Sequence, residues 1–151
     1  MKHRCRGGQQ PKVGDGAISE AALLDQIIGQ RGLAPLLGWK SLHIRPARVL
    51  DDKAKDGYSW RTPVQGDGTN FPDLLLVRPP RFLVAELKMD GKEPRPGQRE
   101  WLDLFVACEL EAYLWTGSDF EEIREILATG HVPSMLEMLT WKSSWINRRE
   151  K

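Results

Sequence analysis

Cysteine is scarce in this chain: Cys5 and Cys108 are the two among 151 residues. Two thiols so far apart form neither a disulfide framework nor a zinc-ligand spacing, and such sparing use fits a reducing, intracellular compartment. Long hydrophobic runs are missing too. No stretch approaches the ~18 apolar residues that mark a membrane-spanning helix, so no membrane partner is expected. The basic start of the chain lacks the apolar segment of a secretory signal, which makes the cytoplasm the expected location. Net charge is nearly absent, at +1, so the overall balance argues neither for nor against a polyanionic partner. Repeats and low-complexity tracts are lacking as well. His3 beside Cys5 is too small a set in a polar tail to argue for a metal.

What remains is an ordinary globular composition, 40% hydrophobic and 28% charged, in a length that suits one domain with a buried core. The charges are unevenly placed. Residues 1–12 hold Lys2, Arg4, Arg6 and Lys12 without an acid, and residues 39–61 hold six cations against three aspartates. Residues 100–125 hold eight acids against Arg124. Such segregation suits a protein with one phosphate-facing side; charged loops and tails account for it about equally well. Residues 1–16 read as a disordered basic arm, 17–130 as the folded domain and 131–151 as a C-terminal extension.

Ser19 is placed to cap a helix from Glu20 to about Gln30, with Ala21, Leu24, Ile27 and Ile28 as its apolar stripe. Glu20 sits in the first turn, where a carboxylate complements the helix dipole. Leu36-Leu37-Gly38 reads as a further helical turn, and Trp39 to Ile44 as a first strand containing His43. Residues 45–70 read as a long connection. Arg45, Arg48, Lys53, Lys55 and Arg61 alternate there with Tyr58 and Trp60. Cations for phosphates and rings for exposed bases suit nucleic acid; a surface loop with aromatics tucked onto the core is the competing reading.

Phe71-Pro72-Asp73-Leu74-Leu75-Leu76-Val77 and Phe82-Leu83-Val84-Ala85-Glu86-Leu87-Lys88 are two strand-length apolar runs around Arg78-Pro79-Pro80-Arg81, the pattern of a β-hairpin. Both faces of these strands are apolar, as in a strand buried between helices. Glu86 and Lys88 share a face because strand side chains alternate. An even-length turn sets Asp73 directly opposite Glu86; an odd one sets it opposite Leu87. The even register gathers two carboxylates and an ammonium at one end of the hairpin. Carboxylates so close require a positive partner, and a hard divalent cation such as magnesium is satisfied by one or two of them plus waters. A lysine two residues away suits metal-assisted hydrolysis of a phosphodiester. A salt bridge at the hairpin end is the plainer alternative, but charges on strands this apolar need a reason.

After a loop over residues 89–95, Pro96 suits the first turn of a helix. Trp101, Leu104, Phe105 and Cys108 follow at helical spacing, with Cys108 expected to be buried. Gln98 falls on that face and is expected to look at the sheet near Glu86 and Lys88. Ala112 to Trp115 reads as a strand, and Ser118-Asp119-Phe120-Glu121 as a capping box for a helix through Ile123, Ile126 and Leu127. This order gives an α/β sandwich with a mixed sheet and a right-handed crossover through the Gln98 helix. In the extension, a helix is expected from Val132-Pro133-Ser134 through Leu139. Trp141 and Trp145, four apart, pack either on the domain or in a partner subunit. Arg148, Arg149 and Lys151 read as a basic tip.

Asn70-Phe71-Pro72-Asp73, then Ala85-Glu86-Leu87-Lys88, then Pro96-Gly97-Gln98-Arg99-Glu100-Trp101-Leu102 together resemble the VRR-NUC branch of the PD-(D/E)XK nucleases, over roughly Ser19 to Leu127. The resemblance implies a restriction-endonuclease-like α/β fold, a mixed sheet flanked by helices. It implies that Asp73 and Glu86 hold the metal, with the Leu87 carbonyl and Glu20 on the first helix as further ligands. Lys88 would be the catalytic lysine and Gln98 the motif glutamine. The lead-in Gly66-Asp67-Gly68-Thr69-Asn70 is longer than the Gly-x-Pro-Asp of many members, which leaves Asp67 as a turn residue or an additional acid. The implied activity is a magnesium-dependent endodeoxyribonuclease, with manganese as alternative metal, selective for DNA structure in the manner of Holliday-junction resolvases and working as a homodimer; for a phage-encoded member the setting is the host cytoplasm. A less selective phage or mobile-element endonuclease, and a catalytically silent DNA-binding module of the same fold, are the alternatives. No motif acid or lysine is missing, as it would be in a silent module.

Overall fold

A computed structural model describes residues 17–149; the basic arm expected over 1–16, Cys5 included, and Lys151 lie outside that range. Among the described residues, six strands and six helices follow in order: α1 (Glu20–Ile28), α2 (Leu33–Leu36), β1 (Lys40–His43), β2 (Ala47–Leu50), β3 (Tyr58–Arg61), β4 (Leu74–Arg78), β5 (Arg81–Leu87), α3 (Pro96–Ala107), β6 (Glu111–Trp115), α4 (Phe120–Ala128), α5 (Met135–Thr140) and α6 (Trp145–Arg148). A short 3-10 helix over Gly66–Asn70 precedes β4 and another over Gly117–Asp119 precedes α4. The main sheet runs β1-β4-β5-β6. β1, β4 and β5 are antiparallel in turn, and β6 lies parallel to β5 after the α3 crossover. The chain is thus α/β with a mixed four-stranded sheet, as its element order predicts.

The two faces of the sheet bury separate cores. Leu83, Ala85 and Leu87 of β5 pack with Leu23 and Ile27 of α1, Ala34 of α2, and Ile123, Ile126 and Leu127 of α4. Val84, one residue out of phase, packs with Leu102 of α3, Trp145 of α6, Ala112 and Leu114. This doubly covered β5 explains why its sequence is apolar at nearly every position. Glu86 has the parity of Val84, so it faces α3.

At the turn end, two arginines pin the sheet to α4. Arg81 pairs bidentately with Glu111 of β6 and donates to the Ile126 and Thr129 carbonyls. Arg78 donates to the Leu37 and Thr129 carbonyls and stacks over Trp39. Together they satisfy carbonyls left open where α4 ends.

Several expectations are corrected. The connection over 45–70 contains a second, two-stranded sheet, β2 antiparallel to β3, with Ala47 opposite Arg61 and Leu50 opposite Tyr58. Cys108 is exposed at the end of α3, because the buried stripe of that helix is Gln98, Leu102, Phe105 and Val106. In α1 the inward residues are Leu23, Leu24, Ile27 and Ile28, while Ala21 is exposed. The box before α4 runs two residues earlier, from Thr116 to Asp119, with Asp119 accepting from the Thr116 amide and hydroxyl.

Ser19 caps α1 as expected, its Oγ accepting from the Ala22 amide at 3.1 Å. Beyond Gly130 the chain packs on the domain: Trp145 is 1% exposed in the α3-side core, and its indole donates to Asp103. Trp141 ends α5 while Trp145 opens α6, so the two tryptophans do not share one helix. Ser144 pairs with Tyr113 beside β6. Arg148 is bound by both oxygens of Asp119, so it is a clamp and not part of a free basic tip.

Candidate active site

The Arg78–Arg81 pair closes the β4–β5 hairpin across Pro79-Pro80, and Leu74 pairs with Ala85. Continuing that register one step puts Asp73 across from Glu86, the even-turn alternative. β4 begins one residue after Asp73, whose carboxylate accepts from the Leu87 amide at 2.9 Å. Its own carbonyl accepts from the Ile44 amide at 3.3 Å. The aspartate is therefore fixed between the end of β1 and the end of β5 by the backbone of both neighbours.

Glu86 is 0% exposed. Its Oε1 takes two donors, Lys88 Nζ and Gln98 Nε2, each at 2.5 Å. Gln98 is held at its other end, where its Oε1 accepts from the Arg95 amide at 2.8 Å. Pro96 sets the first turn of α3 and carries no N–H to satisfy, so Gln98 at the third position closes the cap and reaches the acid together. Glu86 Oε2 is buried with no partner. An orphaned buried acceptor costs about 1–3 kcal/mol, and more when ionised. Burial first, then the charge of Asp73, push the Glu86 carboxyl up from 4.5 to about 7, while Lys88 pulls it down.

A cleft of about 260 Å³ opens beside Asp73, lined by Asp73 and Leu87, by Glu20 and Leu24 of α1, and by His43, Arg45 and Pro46, with Glu86 outside its lining. Glu20 thus shares a cleft with Asp73, approached from the α1 face of the sheet, whereas Glu86, Lys88 and Gln98 meet on the α3 face. Among the described residues, no three of His, Cys, Asp and Glu gather as a metal-holding group. The acid pair is Asp73 and Glu86, and Glu20 lines the cleft with Asp73 without completing a group of three. Asp67 lies in the 3-10 helix, where its carbonyl accepts from the Trp101 indole at 3.0 Å, so the turn alternative holds for it.

A hard divalent cation fits this donor set. The available groups are oxygens of two carboxylates, one of them a buried oxygen lacking any protein donor, and oxygen is what magnesium takes.

Of the five cations expected to face nucleic acid, Arg45 lines the cleft, and Lys53 and Lys55 are exposed at the tip of the β2–β3 ribbon. Arg48 lies 3.6 Å from Asp56 and over the Tyr58 ring, and Arg61 lies 3.5 Å from Asp51. Their charges are partly answered within the ribbon itself. Sequence reasoning did not single out Arg95, whose backbone amide anchors Gln98; the Pro that follows it was the available signal.

These features define a mixed α/β domain with a paired-carboxylate and lysine centre at one end of its sheet. In comparisons with known proteins, no family model, no curated protein and no solved structure matches the chain. No helix of the described residues is long and apolar enough to cross a membrane.

Proposed function

We propose that this protein is a divalent-metal-dependent endonuclease acting on DNA, with a restriction-endonuclease-like arrangement of its sheet and helices. The observation that carries the reading is Glu86: a fully buried carboxylate across from Asp73, with Lys88 and Gln98 on one oxygen and nothing on the other. A buried ion pair gains from hydrogen bonds to its remaining lone pairs, and Glu86 Oε2 receives none from the protein. A cation site requires one oxygen to be left for the ion.

Asp73 and Glu86 would hold the metal, magnesium or manganese, which supplies Lewis acidity at the scissile phosphate and lowers the pKa of an attacking water. The chain's own residues do the rest. Gln98 and the Leu87 amide fix the two carboxylates, so neither has to reorganise during reaction. Lys88 Nζ, held by Glu86, is aimed to take up negative charge at the attacked phosphate or to manage the proton of the nucleophile. Glu20 and His43 form the far wall of the cleft and face the strand being cut. Branched DNA is the proposed substrate class, and a homodimer the proposed working form, because symmetric cutting of two strands calls for two centres related by a two-fold axis.

The test is nicking of supercoiled plasmid. Cleavage is expected with magnesium and not with EDTA. Lys88→Ala should lower the rate by ~10²–10³, the scale of lost transition-state stabilisation, while DNA still binds. Wild-type rates from the purified variant would refute the role given to Lys88. Absence of cleavage by the wild-type protein on plasmid and on branched DNA would refute the function.

A further inference from the structure

The β2–β3 ribbon carries a face that the catalytic centre does not use. Directly opposed residues of an antiparallel pair share a face, and the register sets Arg48 opposite Trp60 and Leu50 opposite Tyr58. These four side chains form one side of the ribbon. All four residues are exposed, Leu50 at 78% and Trp60 at 71%. Val49 and Ser59 on the reverse side are the more covered ones. A ribbon that turns its largest apolar groups to solvent, with an arginine stacked 4.1 Å from a tyrosine ring centroid, presents an interaction surface.

Both ends of the ribbon are tied to the catalytic end of the sheet. Arg45 and Pro46, which lead into β2, line the cleft with Asp73 and Leu87. The chain leaving β3 returns through the Gly66–Asn70 turn to Asp73. Trp60 lies in the second pair from the ribbon's base. At ~3.3 Å per residue that is one step beyond the first pair, Ala47 opposite Arg61, so Trp60 stays close to the base that lines the cleft. Arg45 at the base and Lys53 and Lys55 at the tip flank the face, and none of the three forms an ion pair with a described residue. The segment from 45 to 61 carries five cations against three acids, the right sign for a phosphate chain.

We propose that the Arg48–Leu50–Tyr58–Trp60 face is a stacking platform for unpaired bases of a DNA strand whose phosphates run along Arg45, Lys53 and Lys55. The proposal rests on the endonuclease reading and narrows its substrate to DNA with unpaired bases beside the cut. Rings and a guanidinium plane accept any base through its π face. A fully paired blunt duplex keeps its bases stacked inside and offers this face nothing comparable.

The test is binding without metal, so that no cleavage occurs. In EDTA, fluorescence anisotropy compares a labelled oligo(dT) with a blunt duplex of equal length. Wild type is expected to prefer the oligo(dT). Trp60→Ala should weaken oligo(dT) binding by about tenfold with little change on duplex, and Trp60→Phe should restore most of the loss. Trp60 is on the surface, so unchanged circular dichroism is expected for both variants. Equal loss on both probes, or no loss on either, overturns the platform. So does a wild-type dimer that Trp60→Ala converts to a monomer at unchanged oligo(dT) affinity, since the face would then serve self-association. Plasmid nicking by the wild type reports separately. Trp60-dependent oligo(dT) binding in a protein that never cuts sustains the platform and sinks the endonuclease reading.

Discussion

Replacing Glu86 with glutamine preserves the shape of the side chain and an acceptor for Lys88 and Gln98, and removes its titration. In the folded, metal-free protein the carboxyl sits at about 7 instead of 4.5, because it is buried and faces Asp73. The sign follows from linkage. Below the unfolded value the group is protonated in both states and contributes no pH dependence. Between the two values the folded state keeps a proton that the unfolded state gives up, so stability falls as pH rises. Past the folded value the full cost is present. At 1.36 kcal/mol per pH unit the gap corresponds to about 3 kcal/mol, with the pull of Lys88 already included. For a chain of this size 1 kcal/mol moves Tm by about 2–4 °C, so the expected separation is roughly 6–12 °C. Thermal melts in EDTA from pH 4.5 to 8 should show Glu86→Gln close to wild type at the acidic end and well above it at pH 8. Parallel curves, or a variant less stable than wild type at pH 8, would refute the claim that burial and Asp73 strain this carboxylate.

Magnesium should raise the Tm of wild type through mass action, most strongly above pH 7, and Asp73→Asn and Glu86→Gln should each abolish most of that rise; a wild-type response in both variants would move the metal elsewhere. On duplex DNA, neutralising Arg45, Lys53 and Lys55 together should flatten the dependence of log affinity on log salt by about 0.9 for each phosphate that is no longer neutralised. Arg48 and Arg61 should contribute less, because Asp56 and Asp51 already answer them. An unchanged slope in titrations at several salt concentrations would mean that the ribbon cations are merely solvated.

The centre was legible because it is written in strand parity. Alternation sets Glu86 and Lys88 on one face, and an even turn sets Asp73 across from Glu86; neither inference needs tertiary information. Gln98 was legible for a similar reason, through its helical spacing, three and seven residues, to Trp101 and Phe105. The α3 stripe was harder. Trp101, Leu104, Phe105 and Cys108 fit the helical period as well as Leu102, Phe105 and Val106 do, and the choice is made by Trp145, which arrives from far along the chain to cover Leu102. Cys108 consequently turns to solvent. The ribbon was hidden by composition. Arg48-Val49-Leu50 and Tyr58-Ser59-Trp60 do alternate, and Asp56-Gly57 is a turn signal, but the large apolar groups point outward. Periodicity reports a strand through the face it buries, and this ribbon buries little.

The segment after α5 closes one side of the main sheet. The Leu114 amide donates to the Ser143 carbonyl at 2.9 Å, and Ser144 bridges Tyr113, so β6 has a neighbour on its outer side. The open edge is then β1, four residues long and mostly exposed, with Lys40 at its start. Short, charged edges resist pairing with another chain. The homodimer proposed above would therefore meet through side chains and not by continuing the main sheet at β1. Such an interface can be altered residue by residue without disturbing the backbone ladder that fixes Asp73 against Glu86.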